Sequence, residues 1–266
     1  MLAPTRRVFL SGALALSITP ARAASTPLRV VASSLPHTEI LEFVGEKLAP
    51  ELPLKIIEIS GDLRPNALLR DGDADANFFQ HVPFLRSEEA AMGMRFAVVA
   101  AVHVEPLGLY SRRATSLAAL PSGGTVALSN SVSNTGRGLS LLQANGLIRL
   151  RARDAGVAAT VDDIVENPKN FRFVEIAPPQ LPRSLDDVAL AVTNGNYALE
   201  AGLEPARDAL ALEAAEGNPY ANVLVTTEGL ARDSRVLRLG TLLTSAEVAE
   251  FIGHRYRGSV VPVRPS

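Results

Sequence analysis

Four histidines and no cysteine bound the chemistry open to this 266-residue chain. Without Cys there is no thiolate metal site, thiol nucleophile, disulfide or cysteine-linked lipid. His37, His81 and His103 are the candidates for a zinc site, but their spacing matches no metal motif. The hydrolase and metalloprotease patterns GxSxG and HExxH are absent. Asp71-Gly72-Asp73-Ala74-Asp75 begins like a calcium-binding loop. Ala76 and Val82 then stand where such a loop needs Gly and Glu, so the segment reads as a turn into a strand. No metal or other cofactor is expected.

Three polar regions remain as binding candidates. In Asn77-Phe78-Phe79-Gln80-His81, Phe79 and His81 share parity along an extended backbone and should face one way. Phe84 follows within one helical turn. Together they would wall a pocket for an apolar side chain with one polar edge; the alternative is two core phenylalanines and a helix-end histidine. Ser131-Val132-Ser133-Asn134-Thr135-Gly136-Arg137 leads into an apolar helical run. Ser and Asn suit N-caps, exposed N–H groups attract an anion, and Arg137 has the fork to grip a carboxylate. The alternative is an ordinary capped helix with a surface arginine. Neither GxGxxG nor GxxxxGK[ST] is present, so this is no nucleotide loop. Asn194 ends an expected strand and Asn222 begins another. An Asn carbonyl can accept from an ammonium group, though each also suits a turn or cap.

The elements that must carry these residues alternate. Strands are expected at 28–33, 54–59, 74–79, 95–104, 107–111, 125–128, 171–176, 188–193 and 222–227. Helical spacing marks 40–48, 66–70, 81–92, 134–144, a short helix near Leu185, and 233–242 with 245–255. The alternation predicts an α/β layer architecture with largely parallel strands. Two such halves in one continuous pattern imply two lobes with a cleft between them, a place ligands favour.

Apolar residues make up 47% and charged residues 20%, which excludes disorder. The net charge is −2, with no basic run for a nucleic-acid surface, and the absence of Trp argues against a base-stacking platform. Residues 1–23 carry Arg6-Arg7, a short apolar stretch and Ala21-Arg22-Ala23, the pattern of a cleaved signal peptide with a twin-arginine-like start. Cleavage before Ala24 would remove three arginines and no acid, taking the charge from −2 to −5. No later segment has eighteen uninterrupted apolar residues. The expected product is exported, periplasmic and not lipid-anchored.

Several collinear motifs resemble one family along nearly the whole chain after the signal segment. They are Gly72-Asp73-Ala74-Asp75-Ala76-Asn77 with Phe79-Gln80-His81, Asn134 with Gly136-Arg137, and Val165-Glu166-Asn167-Pro168-Lys169-Asn170. The stretch 177–187, then Ala191-Val192-Thr193-Asn194 with Tyr197, and Asn218-Pro219-Tyr220-Ala221-Asn222 complete the set. The chain is similar here to the methionine-type solute-binding proteins of ABC importers, the lipoprotein family that includes the D-methionine-binding component. The resemblance implies a two-lobed periplasmic-binding-protein fold (type II), each lobe a mixed sheet flanked by helices. Lobe 1 would hold 27–110 plus 226–266, and lobe 2 would hold 111–225. It further implies a free amino acid in the cleft: Phe79, His81 and Phe84 around its side chain, Arg137 with Asn134 on its carboxylate, Asn194 and Asn222 on its amine.

Two departures bear on the ligand. Asp62 and Phe84 stand where the family commonly has tyrosine. A carboxylate at Asp62 near the side-chain pocket needs a partner, either the ligand or a protonated His81; otherwise Asp62 caps the short helix and turns away. The expected function is delivery of methionine or a related amino acid to an ABC permease and its ATPase, by a monomer that is not an enzyme. The alternatives are a lyase or dehydratase with Asp62 and His81 as acid and base, or the ligand-binding partner of a sensor.

Overall fold

The computed structural model describes residues 26–59, 64–151 and 159–263. The expected signal peptide, residues 1–23, and Asp62 lie outside them. In chain order, β1 (Leu28–Ala32) leads through a helical stretch centred on α1 (Glu39–Phe43) to β2 (Leu54–Glu58). Next come α2 (Pro65–Asp71), β3 (Ala76–His81), α3 (Val82–Met92), β4 (Phe96–Val104) and β5 (Gly108–Tyr110). Then follow β6 (Thr125–Ser129), α4 (Val132–Ala144), β7 (Arg149–Leu150), β8 (Ile164–Glu166), β9 (Arg172–Ile176) and β10 (Leu190–Thr193). The chain ends with α5 (Gly195–Glu200), α6 (Pro205–Asp208), β11 (Ala211–Leu212), β12 (Ala221–Thr227), α7 (Ser234–Leu243), α8 (Ala246–Tyr256) and β13 (Val261–Pro262).

Two principal sheets form. One has the order β13-β4-β12-β3-β1-β2, the other β11-β5-β10-β6-β9. In each, the strands joined by helices are parallel: β2-β1-β3 in the first and β9-β6-β10 in the second. The remaining pairings are antiparallel, so both sheets are mixed. The reason lies in the crossings: β5 and β12 enter their sheets from the opposite lobe and run against their neighbours. The crossings fall at 105–107 and 213–220. β5 therefore hydrogen-bonds into the second sheet and β12 into the first, which moves both strands across the lobe boundaries expected at 110 and 226.

Each sheet is covered on both faces. β12 shows the period-two logic: Leu224 faces the core under α7 and α8, while Val223 and Val225 face α2 and α3. In the second sheet, Val126, Leu128 and Val192 meet Leu139 and Leu142 of α4, and Ala127 and Ala191 face Leu185 and Ala198. Local signals fix the helix ends. Pro65 opens α2, and Gly72 closes it with φ of 76°, the left-handed conformation glycine permits. Asp75 beyond that turn binds Arg29, whose Nη2 donates at 2.6 Å, so the acidic run serves a turn and an ion pair. Short β7, β8, β11 and β13 and the helix α5 had no periodic signal; two to six residues cannot show one.

The parallel strands end at one place. Ser33 follows β1, His81 ends β3, Ser131 lies just past β6, and Asn194 follows β10. Loops after strand C-termini of open α/β sheets border ligand crevices, and here both sheets aim theirs at the space between them.

Strand parity generates a stability test. Phe78 is fully buried beside His37 and His103, with ring centroids 4.6 and 5.3 Å away, whereas Phe79 is half-buried. Phe78→Ala should cost about 3–5 kcal/mol in urea denaturation, and Phe79→Ala far less. Equal losses would contradict the assigned faces.

Candidate functional site

Seven of the eight residues singled out in the sequence line one cavity of about 80 Å³ between the sheets: Phe79, His81, Phe84, Asn134, Arg137, Asn194 and Asn222. It opens beside a wider cleft of about 1100 Å³ that shares Phe79, Phe84 and Tyr197 in its wall.

Local structure explains how they meet. His81 is the N-cap of α3, and its Nδ1 accepts from the Phe84 N–H at 3.1 Å. That bond fixes the tautomer: Nε2 carries the proton and donates to Asn134 Oδ1 at 3.1 Å, across the cleft. α4 begins at Val132, so Asn134 sits inside its first turn rather than at the cap, and Arg137 follows three residues later on the same face. Gly138 lets the helix lie close on the sheet; a Cβ there would meet Val192 and Leu128 at 3.2 and 3.3 Å. Asn194 Nδ2 donates to Asn134 Oδ1 at 3.1 Å. Asn134 thus receives one donor from each lobe.

With both ring nitrogens engaged, His81 has none left to act as an acid or base on a ligand. Burial and the positive charge of Arg137 push its pKa down to about 4. The expected protonated His81 as a partner for Asp62 is therefore corrected: a charged ring would lose the Phe84 bond. Asn222 is corrected in its role. Its Oδ1 accepts from His37 Nε2 at 3.2 Å, so its open end is the amide nitrogen, a donor unsuited to an ammonium. Asn194 is the reverse: its Oδ1 is buried without a partner among the described residues, an acceptor awaiting a donor.

Arg137 is held on three sides. Its Nε donates to both oxygens of Glu213 at 3.1 Å, its Nη2 to the Glu105 carbonyl at 2.9 Å, and the Tyr220 ring stacks at 4.3 Å. Nη1 makes no hydrogen bond among the described residues. Beneath the cavity Glu105 sits at the first crossing between lobes. Its Oε1 accepts from His103 Nε2 at 2.9 Å and lies 3.3 Å from His37 Nε2, and its Oε2 accepts from the Asn196 N–H at 3.1 Å. His37 and His103 do come together, but with Glu105 rather than His81, and at hydrogen-bond distances. Burial raises the Glu105 carboxyl above the usual range. Glu213 and Asn196 carried no signal in the sequence, and Glu105 is marked only by the Pro106 that follows it at the strand end. Tyr197 and Tyr220 lay within the family-like stretches without an assigned role.

The NlpA lipoprotein family model matches residues 28–264. The methionine-binding lipoprotein MetQ of Bacillus subtilis (strain 168) is 36% identical over 239 residues, covering 88% of this chain and 87% of that protein. Among solved structures, a nutrient binding protein from Burkholderia cenocepacia bound to methionine superposes with a TM-score of 0.83 at 39% identity, covering 88% of this chain and 99% of that one. An ABC transporter periplasmic substrate-binding protein from Coxiella burnetii gives 0.82 at 36% identity, over 89% and 100% of the two chains.

The buried histidines generate a pH dependence. Loss of hydration lowers His37 to about 4 and His103 to about 3, as it does His81. Unfolded, these rings bind protons below about pH 6.5; folded, they stay neutral down to about pH 4. The unfolded state then holds more protons, so this stability is full above pH 6.5 and falls toward pH 4, by about 1.4 kcal/mol per pH unit for each ring. Glu105 and Glu200, both raised by burial, act with the opposite sign above the ordinary carboxylate range, leaving three rings to set the direction. Urea denaturation at about pH 7, 6 and 5 should show stability falling; a rise would contradict the neutral rings.

Proposed function

The chain belongs to the NlpA lipoprotein family, and from that premise we propose that it is the substrate-binding component of an ABC importer, carrying methionine or a closely related free amino acid. The observation that carries the reading is one cavity holding, among the described residues, a buried acceptor without a donor, Asn194 Oδ1, together with a guanidinium that keeps one nitrogen open, Arg137 Nη1. An α-amino acid supplies the two missing complements, an ammonium donor and a carboxylate acceptor. Asn222 presents a donor and so joins the carboxylate side. Phe79 and Phe84, at right angles with centroids 6.0 Å apart, form the apolar wall for the side chain. The names of the relatives, methionine-binding in one case and ABC transporter substrate-binding in another, support the ligand class and the permease as partner.

Binding needs no covalent step. The lobes close on the ligand through contacts such as His81 to Asn134, and the closed form is what a permease would recognise. The arrangement of His81 favours this over a lyase. We place the protein in the periplasm, as a monomer that meets its permease by diffusion. Among the described residues no helix is long and apolar enough to cross a membrane. Relatives are named lipoproteins, but these 266 residues include no cysteine to carry a lipid.

Methionine should raise the melting temperature of the purified protein by several degrees. Asn194→Ala should weaken methionine binding by about tenfold or more in calorimetry, since it removes the ammonium acceptor while leaving the fold. Arg137→Lys should weaken it at least as much, because a point charge replaces a fork. Unchanged affinity in both variants would refute the assigned roles.

A further inference from the structure

Among the described residues Arg137 is the sole cation lining the cavity, yet its charge is already matched. Glu213 approaches its Nη2 at 2.5 Å and its Nε at 3.1 Å, and the two side chains are 2% and 17% exposed. Glu213 is no loose surface acid. Its N–H donates to the Leu107 carbonyl at 2.9 Å, and its Oε2 accepts from the Leu107 N–H at 3.3 Å, so it is fixed at the crossing between lobes. It cannot swing aside when a ligand arrives without breaking those bonds.

A ligand carboxylate on Nη1 must therefore share one guanidinium with a second, immovable carboxylate. Two like charges on one buried cation repel, and the burial of both side chains limits their screening. Among the described residues, the other carboxylate in the wall, Glu105, adds no positive field. A ligand that brings its own cation escapes this difficulty, because its ammonium reaches Asn194 Oδ1 within the same cavity. A ligand with a carboxylate alone does not.

We propose that Glu213 is a specificity-determining residue: by balancing Arg137 it makes the cleft accept a zwitterion and reject a plain carboxylate anion of the same shape. The inference rests on the amino-acid reading above and deepens it, since it names a selection that neither the carboxylate grip nor the apolar wall provides. Glu213 touches no ligand in this account. It acts by offsetting the charge of Arg137 through their ion pair.

The test compares L-methionine with 4-(methylsulfanyl)butanoate, which is methionine without its amine, by calorimetry on wild type, Glu213→Gln and Glu213→Asp. Both ligands carry the same carboxylate, so a merely structural loosening of Arg137 would weaken both by one factor and leave their ratio alone. The expected result is a strong preference for methionine in the wild type, reduced about tenfold or more in Glu213→Gln and kept in Glu213→Asp. An unchanged ratio in Glu213→Gln overturns the proposal. Wild-type protein that binds the butanoate within about threefold of methionine overturns it without any variant. Wild-type protein that binds neither methionine nor any closely related amino acid overturns the proposed function and this inference with it, whereas methionine binding with an unchanged ratio overturns this inference alone.

Discussion

A buried carboxylate at the crossing between two lobes must have every oxygen met by a donor, and Glu105 imposes that requirement on its surroundings. Two histidines from the first lobe face it as neutral donors, and one backbone N–H arrives from α5 of the second. Gly195 stands where a Cβ would come within 3.0 Å of Glu105 Cβ, so a small residue is needed for α5 to approach. The Glu105 carbonyl takes a further bond from Arg137. One residue thus ties together His37, His103, α5 and the arginine that lines the cleft.

The consequences spread outward from there. Because His37 must donate toward Glu105, the Asn222 atom beside it must be the oxygen, which turns the Asn222 amide nitrogen toward the open side. Because His81 caps α3 through Nδ1, it can only donate to Asn134, and Asn134 then has its oxygen saturated by His81 and Asn194. The orientation of each amide follows from its neighbour, in a chain of single-valued choices. A second amide cluster, Asn66, Asn77 and Gln80, locks α2 to β3. Among the cavity's described polar side chains, the groups left over include an acceptor at Asn194 and donors at Arg137, Asn134 and Asn222. Their combination defines what can bind more sharply than any one residue.

Much of this was legible in the sequence where geometry is local. The parity of Phe79 and His81 and the three-residue step from Asn134 to Arg137 depend only on strand and helix periods. The alternation of strand and helix likewise gave two α/β layers. What could not be read depends on contacts between distant residues. Glu213 is 76 positions from Arg137, and His37 is 185 from Asn222; no spacing rule links them. The direction of the Asn222 amide, the neutral state of His81 and the crossings that carry β5 and β12 into opposite sheets all arise from tertiary pairing. Stretches as short as β11 or β13 are made by their neighbours and not by their own residues.

The central claim is that the cleft holds a free α-amino acid and releases it unaltered. The most direct measurement is to purify the protein without refolding, denature it, and identify any released small molecule by mass spectrometry. The account predicts an intact α-amino acid, methionine or a close analogue, in proportion to protein. A compound without both an amine and a carboxylate, or a mixture of substrate and its elimination product, would contradict it.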